Sequence, residues 1–96
     1  MSSEFWYVYI LQCNDGSYYT GITPNINQRL RKHNASKGCR YTRARTPVEL
    51  VFQERHPNKS IARRREIEIK DYSRQKKENL IRTNKVRGFS REVPSR

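Results

Sequence analysis

The side chains able to do chemistry in this chain fall into two sets. Lys37, Arg40, Arg43 and Arg45 are interleaved with Tyr41 in KGCRYTRARTP, residues 37–47. Cations alternating with an aromatic ring suit phosphate contacts combined with base stacking. Tyr9 and Tyr19, with Gly21 beside them in FWYVYILQCNDGSYYTGIT, and Arg29 and His33 in the stretch after it make the second set. Whether the two phenols can act together depends on the turn between them.

Phe5 to Cys13 and Tyr18 to Thr23 are rich in aromatic and β-branched residues, with Asn14-Asp15-Gly16 as a turn signal between them. A two-residue Asp15-Gly16 loop pairs Tyr9 with Ile22 and puts Tyr9 and Tyr19 on opposite faces of the hairpin. A three-residue loop, with Gly16 left-handed beside a bulge, pairs Leu11 with Tyr19 and Tyr9 with Gly21. Side chains alternate along a strand, so Tyr9, Tyr19 and Gly21 then share one face. Trp6, Val8, Ile10, Tyr18, Thr20 and Ile22 form the other, a credible core surface. We assign the three-residue loop.

The remaining elements must position these groups. Thr23 followed by Pro24 predicts a helix start, running to about Asn34 with Ile26 and Leu30 on its buried side. Arg29 and His33, four apart, stack along a stripe adjoining that side. Residues 37–47 read as a basic loop. Val48 to Arg55, VELVFQER, reads as a third strand, and Asn58 or Ser60 can cap the next helix. That helix, 60–72, carries Ile61, Ala62, Ile69 and Tyr72 on one side. Glu66 and Glu68 flank the stripe on its two edges, and the wheel does not choose between them. Ser73 can cap a last helix anchored by Leu80 and Ile81. The prediction is an α+β fold in the order ββαβαα, a small three-stranded antiparallel sheet flanked by helices, over residues 1–82. Residues 83–96 are expected to form a basic, disordered tail.

Composition sets the partner class. The chain of 96 residues carries a formal charge of +12, spread along its whole length. A folded domain with a broad basic surface and a polyanionic partner, nucleic acid above all, is the expected consequence. Only 33% of the residues are hydrophobic, so the core is small and the aromatic hairpin must supply much of it. No run is apolar enough to span a membrane and no signal-peptide pattern opens the sequence, so the expectation is a soluble cytoplasmic protein without a membrane partner. Cys13 and Cys39 lack CxxC spacing and read as ordinary reduced thiols.

Taken together, these residues resemble the GIY-YIG nuclease superfamily, from Trp6 to about Ile81. Tyr7-Val8-Tyr9 stands for the first motif and Tyr19-Thr20-Gly21 for the second, at the expected separation. Arg29 follows at the spacing of the family's helical arginine, and His33 falls where members carry tyrosine or histidine. Ala62-Arg63-Arg64-Arg65-Glu66, then Ile69-Lys70, looks like the stretch bearing the family's single metal-binding glutamate, so the resemblance favours Glu66 over Glu68. Tyr7 replaces the usual glycine and Thr20 the usual isoleucine; both suit a strand. Asn79 and Asn84 are alternative matches to the family's C-terminal asparagine. The most similar subgroup is the small stand-alone bacterial proteins. Similar domains form the N-terminal incision module of the excinuclease of bacterial nucleotide-excision repair, and the catalytic part of eukaryotic structure-specific nucleases.

The resemblance implies an endonuclease hydrolysing DNA phosphodiesters in repair or recombination, with one Mg²⁺ or Mn²⁺ on Glu66. Tyr19 is then the general base, its pKa of about 10 lowered by nearby cations. Tyr9 positions the water or orients Tyr19, Arg29 forks onto the non-bridging oxygens, and His33 serves as a proton relay or a phosphate donor. Gly21 leaves room for the substrate backbone. Lys37, Arg40, Tyr41, Arg43 and Arg45 bind nucleic acid, DNA more than RNA, and a protein partner supplies target choice. The alternative is a nucleic-acid-binding module with little or no catalysis.

Overall fold

The computed structural model describes residues 5–35 and 40–88, with side chains described to residue 84. Strands β1 (Trp6–Gln12) and β2 (Tyr18–Thr23) form the hairpin. Helix α1 (Ile26–Asn34), a single turn α2 (Arg40–Arg43), strand β3 (Glu49–His56) and helices α3 (Lys59–Lys70) and α4 (Arg74–Gly88) follow. The sheet is antiparallel in the order β2-β1-β3, which is the expected α+β architecture. Among the described residues no helix is long and apolar enough to cross a membrane.

The hairpin closes on the three-residue loop. Cys13 N–H donates to the Ser17 carbonyl at 2.8 Å, and Gly16 has φ of 87°. Only glycine adopts that conformation without strain. Asp15 Oδ1 accepts from the Ser17 amide at 3.0 Å, closing an Asx turn. Tyr9 accordingly faces Gly21, and Leu11 faces Tyr19.

The sheet has a core on each face. Val8, Ile10 and Phe52 pack under Ala62 and Ile69 of α3, with Leu80 and Ile81 of α4 against them. Tyr9, Leu11, Cys13 and Val48 pack on the other face with Ile26 and Leu30 of α1. A bulge in β3 serves both faces. Ile10 pairs with Phe52 but Leu11 pairs with Leu50, so Val51 is the extra residue. Strict alternation would put Leu50 and Phe52 on one face; the inserted residue sends Phe52 to the α3 side and Leu50 to the α1 side.

Several boundaries differ from those predicted. Asn25, not Thr23, caps α1, its side chain accepting from the Gln28 amide at 3.0 Å. Thr23 Oγ1 instead holds the Asn25 amide at 3.1 Å, so Pro24 precedes the cap. The α3 helix ends at Asp71, before Tyr72, while Asn58 caps α3 and Ser73 caps α4 through the Lys76 amide, as expected. Ile61 is exposed, whereas Glu66 joins Ala62 and Ile69 in the buried stripe of α3. Residues 37–47 are not all loop, because Arg40–Arg43 makes a helical turn. The helix α4 continues past residue 82 to Gly88, and residues 89–96 of the expected tail lie outside those described, as do Lys37 and Cys39.

Glu54 of β3 ties α3 to the sheet. Arg65 donates to it through Nε at 2.9 Å and Nη2 at 3.3 Å, and His56 Nε2 lies 2.8 Å away. Burial pushes the Glu54 carboxyl up, but the Arg65 and His56 hydrogen bonds and charges outweigh it and hold it below its ordinary 4.5. A carboxyl depressed in the folded state contributes stability that is complete above its unfolded pKa and is lost as pH falls through the folded one. Glu54→Gln should therefore be less stable than the parent in urea at pH 7, with the gap closing below about pH 4.5. A gap independent of pH between about 3 and 7 would contradict this.

Candidate active site

Antiparallel pairing places Tyr9 and Tyr19 diagonally on the α1 face, with ring centroids 6.3 Å apart and planes tilted by 45°. The glycine opposite Tyr9 makes this arrangement fit. A Cβ on Gly21 would lie 2.6 Å from the Tyr9 hydroxyl and 2.8 Å from Cζ. The space is filled by the Tyr9 ring itself, and so is not left open for a substrate backbone, correcting the expectation from sequence.

Helix α1 brings His33 over this pair. The imidazole is 1% exposed, with Nε2 at 3.2 Å from the Tyr9 hydroxyl and Nδ1 at 2.6 Å from Thr42 Oγ1. Its ring also stands edge-on to Tyr9 and tilted against Tyr19, at 6.1 and 5.4 Å between centroids. Burial, and secondly the charge of Arg29 one turn earlier, lower the His33 pKa below 6.5. The ring is thus neutral at pH 7. Both ring nitrogens are engaged inside the protein, so neither is turned toward an incoming phosphate. Arg29 is half-buried and has no carboxylate partner among the described residues.

Tyr41 covers Tyr19 from outside. The rings stack at 6.0 Å with 23° between planes, and Tyr41 is 37% exposed. Arg45 braces it: the guanidinium lies 4.0 Å over the Tyr41 ring, Nη1 donates to the Tyr41 carbonyl, and Nε donates to Asp15 at 2.9 Å. Arg45 therefore has a structural partner at the hairpin tip. Arg40 and Arg43 project from α2 into solvent.

Glu66 stands apart from the aromatic cluster. It lies on α3, which packs across the opposite face of the sheet, and is 8% exposed. Its partners are cations, Lys70 at 3.3 Å and Arg63 at 3.8 Å. The outer edge of β2 connects the two faces. There, Tyr18, Tyr19, Thr20, Tyr41, Lys70 and Lys77 line one open pocket of about 240 Å³. Lys70 thus pairs with Glu66 and lines the same pocket as Tyr19 and Tyr41. The buried Thr20 hydroxyl on this edge has no hydrogen-bond partner among the described residues. Among those residues, too, no three His, Cys, Asp or Glu side chains cluster as a metal cage. A single buried carboxylate suits a hard divalent ion that keeps most of its waters and completes its shell with phosphate.

Sequence reasoning located Tyr9, Tyr19, Gly21, Arg29 and His33, and the structure gathers them on one face. It missed Thr42, Lys70 and Lys77. Lys70 and Lys77 were two among many basic residues, and no local pattern ties Thr42 to His33.

Comparison with known proteins shows the family and the fold. Residues 5–79 match the family model of the GIY-YIG catalytic domain. A UPF0213 protein of Staphylococcus epidermidis is 55% identical over 75 residues, covering 78% of this chain and 92% of the relative. A Staphylococcus aureus UPF0213 protein is 53% identical over 82 residues, 85% of this chain and 98% of its own length. Among solved structures, the UPF0213 protein BH0048 of Bacillus halodurans superposes with a TM-score of 0.55 at 48% identity, covering 82% of this chain and 84% of that one. The E. faecalis protein EF2693 gives 0.59 at 32% identity, covering 100% and 98%.

Gly21→Ala should drive the Tyr9 ring off its seat, costing about 1–3 kcal/mol in urea unfolding and breaking the Tyr9–His33 contact. Unchanged stability together with an unchanged His33 titration by NMR would refute the close packing.

Proposed function

The chain belongs to the GIY-YIG family of nuclease domains, and on that footing we propose that it is a cytoplasmic, metal-dependent DNA endonuclease of repair or recombination. The observation that carries the proposal is the gathering of Tyr9, Tyr19 and His33 on one face, with Arg29 one turn away, in the family's order. GIY-YIG nucleases use divalent ions. Glu66 would hold one Mg²⁺ or Mn²⁺, which supplies charge stabilisation at the scissile phosphate and leaving oxygen.

The protein's own groups do the remaining work. Tyr19, half-exposed at the β2 edge, is the base. Its oxygen takes a proton from water while the water oxygen bonds to phosphorus, and the bond from phosphorus to the leaving alcohol breaks. The alkoxide takes a proton from solvent. A phenol does this near neutral pH only where cations favour its ionised form; Arg29 on α1 and Lys70, which lines the same pocket as Tyr19, would supply that charge. Arg29 directs its fork at the non-bridging oxygens. Buried Tyr9 cannot reach substrate freely, so it orients the site through its bond to His33. The exposed face of Tyr41 offers a stacking surface, with Arg40, Arg43 and Lys77 along the track of the backbone. At +12 the binding is mainly electrostatic, and affinity should fall steeply with salt. Target choice would then come from a protein partner.

A binding-only module is the second reading, favoured by the separation of Glu66 from the phenols and its pairing with Lys70 and Arg63. A cleavage panel of single-stranded, duplex, flap and junction DNAs with Mg²⁺ or Mn²⁺ decides. Glu66→Ala and Tyr19→Phe should each lower the rate by about a hundredfold or more while binding at low salt persists. A parent that binds DNA or RNA and never cleaves would establish the binding module instead.

A further inference from the structure

The most completely buried polar contact at the site lies behind the residues that would meet substrate. Thr42, 0% exposed, comes from the turn α2 in the basic segment, and its hydroxyl sits 2.6 Å from His33 Nδ1. On the other side of the same ring, Nε2 is 3.2 Å from the Tyr9 hydroxyl. We propose that Thr42 is a positioning residue, fixing the tautomer and plane of His33 and thereby the hydrogen-bonding role of Tyr9.

Proton counting links the three side chains. A neutral imidazole carries a single ring proton, so one nitrogen donates and the other accepts. Whichever role Thr42 imposes at Nδ1 forces the opposite role at Nε2, and Nε2 addresses Tyr9. A hydroxyl can donate or accept, so hydrogen bonds through Thr42, His33 and Tyr9 run in one direction or the other as a unit. Without Thr42 that coupling is lost, and the Tyr9 hydroxyl meets a donor in one tautomer and an acceptor in the other. The choice of residue matters as well. A carboxylate at this position would favour the imidazolium, whereas a hydroxyl can hold the ring without adding charge. The groups facing the ring from neighbouring elements agree with a neutral state: Tyr9 from β1, Tyr19 from β2 and the Arg29 cation from its own helix. Residue 42 thereby links the segment that would present Tyr41 to nucleic acid with the buried end of the tyrosine pair. The contact joins segments nine residues apart and belongs to neither sequence motif.

The catalytic consequence rests on the nuclease reading, while the structural half can be tested without any activity. Long-range ¹H–¹⁵N correlation spectra of the His33 ring, recorded across about pH 5–9 on the parent, Thr42→Val and Thr42→Ser, read the tautomer directly. One neutral tautomer is expected in the parent and in Thr42→Ser, and a mixture or the opposite tautomer in Thr42→Val. In cleavage assays Thr42→Val should lower kcat by about tenfold or more with KM within about twofold, and Thr42→Ser should restore it. A parent ring that interconverts between tautomers at pH 7 overturns the proposal even where Thr42→Val fails to fold. So does a folded Thr42→Val that keeps the parental ring signals, or one whose signals change with no loss of kcat while the parent cleaves. A parent that never cleaves sinks the nuclease reading alone, and the ring spectra still judge Thr42.

Discussion

The pairing of Tyr9 with Gly21 is the constraint on which the site depends. It sets the hairpin register, and the register alone decides that two phenols share a face. Because side chains alternate, a shift of one residue would send Tyr9 and Tyr19 to opposite cores. The glycine is needed for packing as much as for pairing, since the Tyr9 ring occupies the volume a Cβ would fill. From that seat Tyr9 meets His33, and His33 meets Thr42. Three buried polar side chains are thereby satisfied by one another in a region where an unpaired group would be costly.

A sheet with helices on both faces usually separates its two cores. Here the strand at its edge carries both, with Tyr19 on the α1 side and Tyr18 and Thr20 on the α3 side. The carboxylate of Glu66 and the phenol of Tyr19 are thus reached around β2, with Lys70 paired to the one and sharing a pocket with the other. Electrostatics supports that geometry. A surface with so large an excess of positive charge draws in a polyanion, while burial and then the Arg29 charge disfavour the imidazolium at His33. The hairpin tip is held from two sides as well, by Arg45 on Asp15 and by Arg74 donating to the Gly16 carbonyl at 3.0 Å.

Much of this was legible in the sequence because it is local. Asn14-Asp15-Gly16 specifies its turn, and the turn with the alternation of residues 5–13 and 18–23 specifies the register. Helix caps were legible only to within two residues, since Thr23 and Asn25 both have capping side chains and only the chain's path to Gln28 selects Asn25. Other features had no local signature. The single turn α2 is too short for periodicity, the β3 bulge answers two cores at once, and the Thr42–His33 bond joins separate elements. Ile61 looked like core by spacing yet is exposed, while Glu66 takes a place on the buried stripe that an apolar residue would be expected to hold. Family resemblance, not helical periodicity, singled out that carboxylate.

Catalysis of the kind proposed requires the aromatic face and Glu66 to act on one phosphate, and a structure of Glu66→Gln bound to a short DNA oligonucleotide tests that requirement. A backbone phosphate is expected at the β2 edge, within hydrogen-bonding distance of Tyr19 and Arg29 and facing the side chain at position 66. Phosphates confined to the outer surface of α2, with Tyr19 and position 66 both untouched, would contradict it.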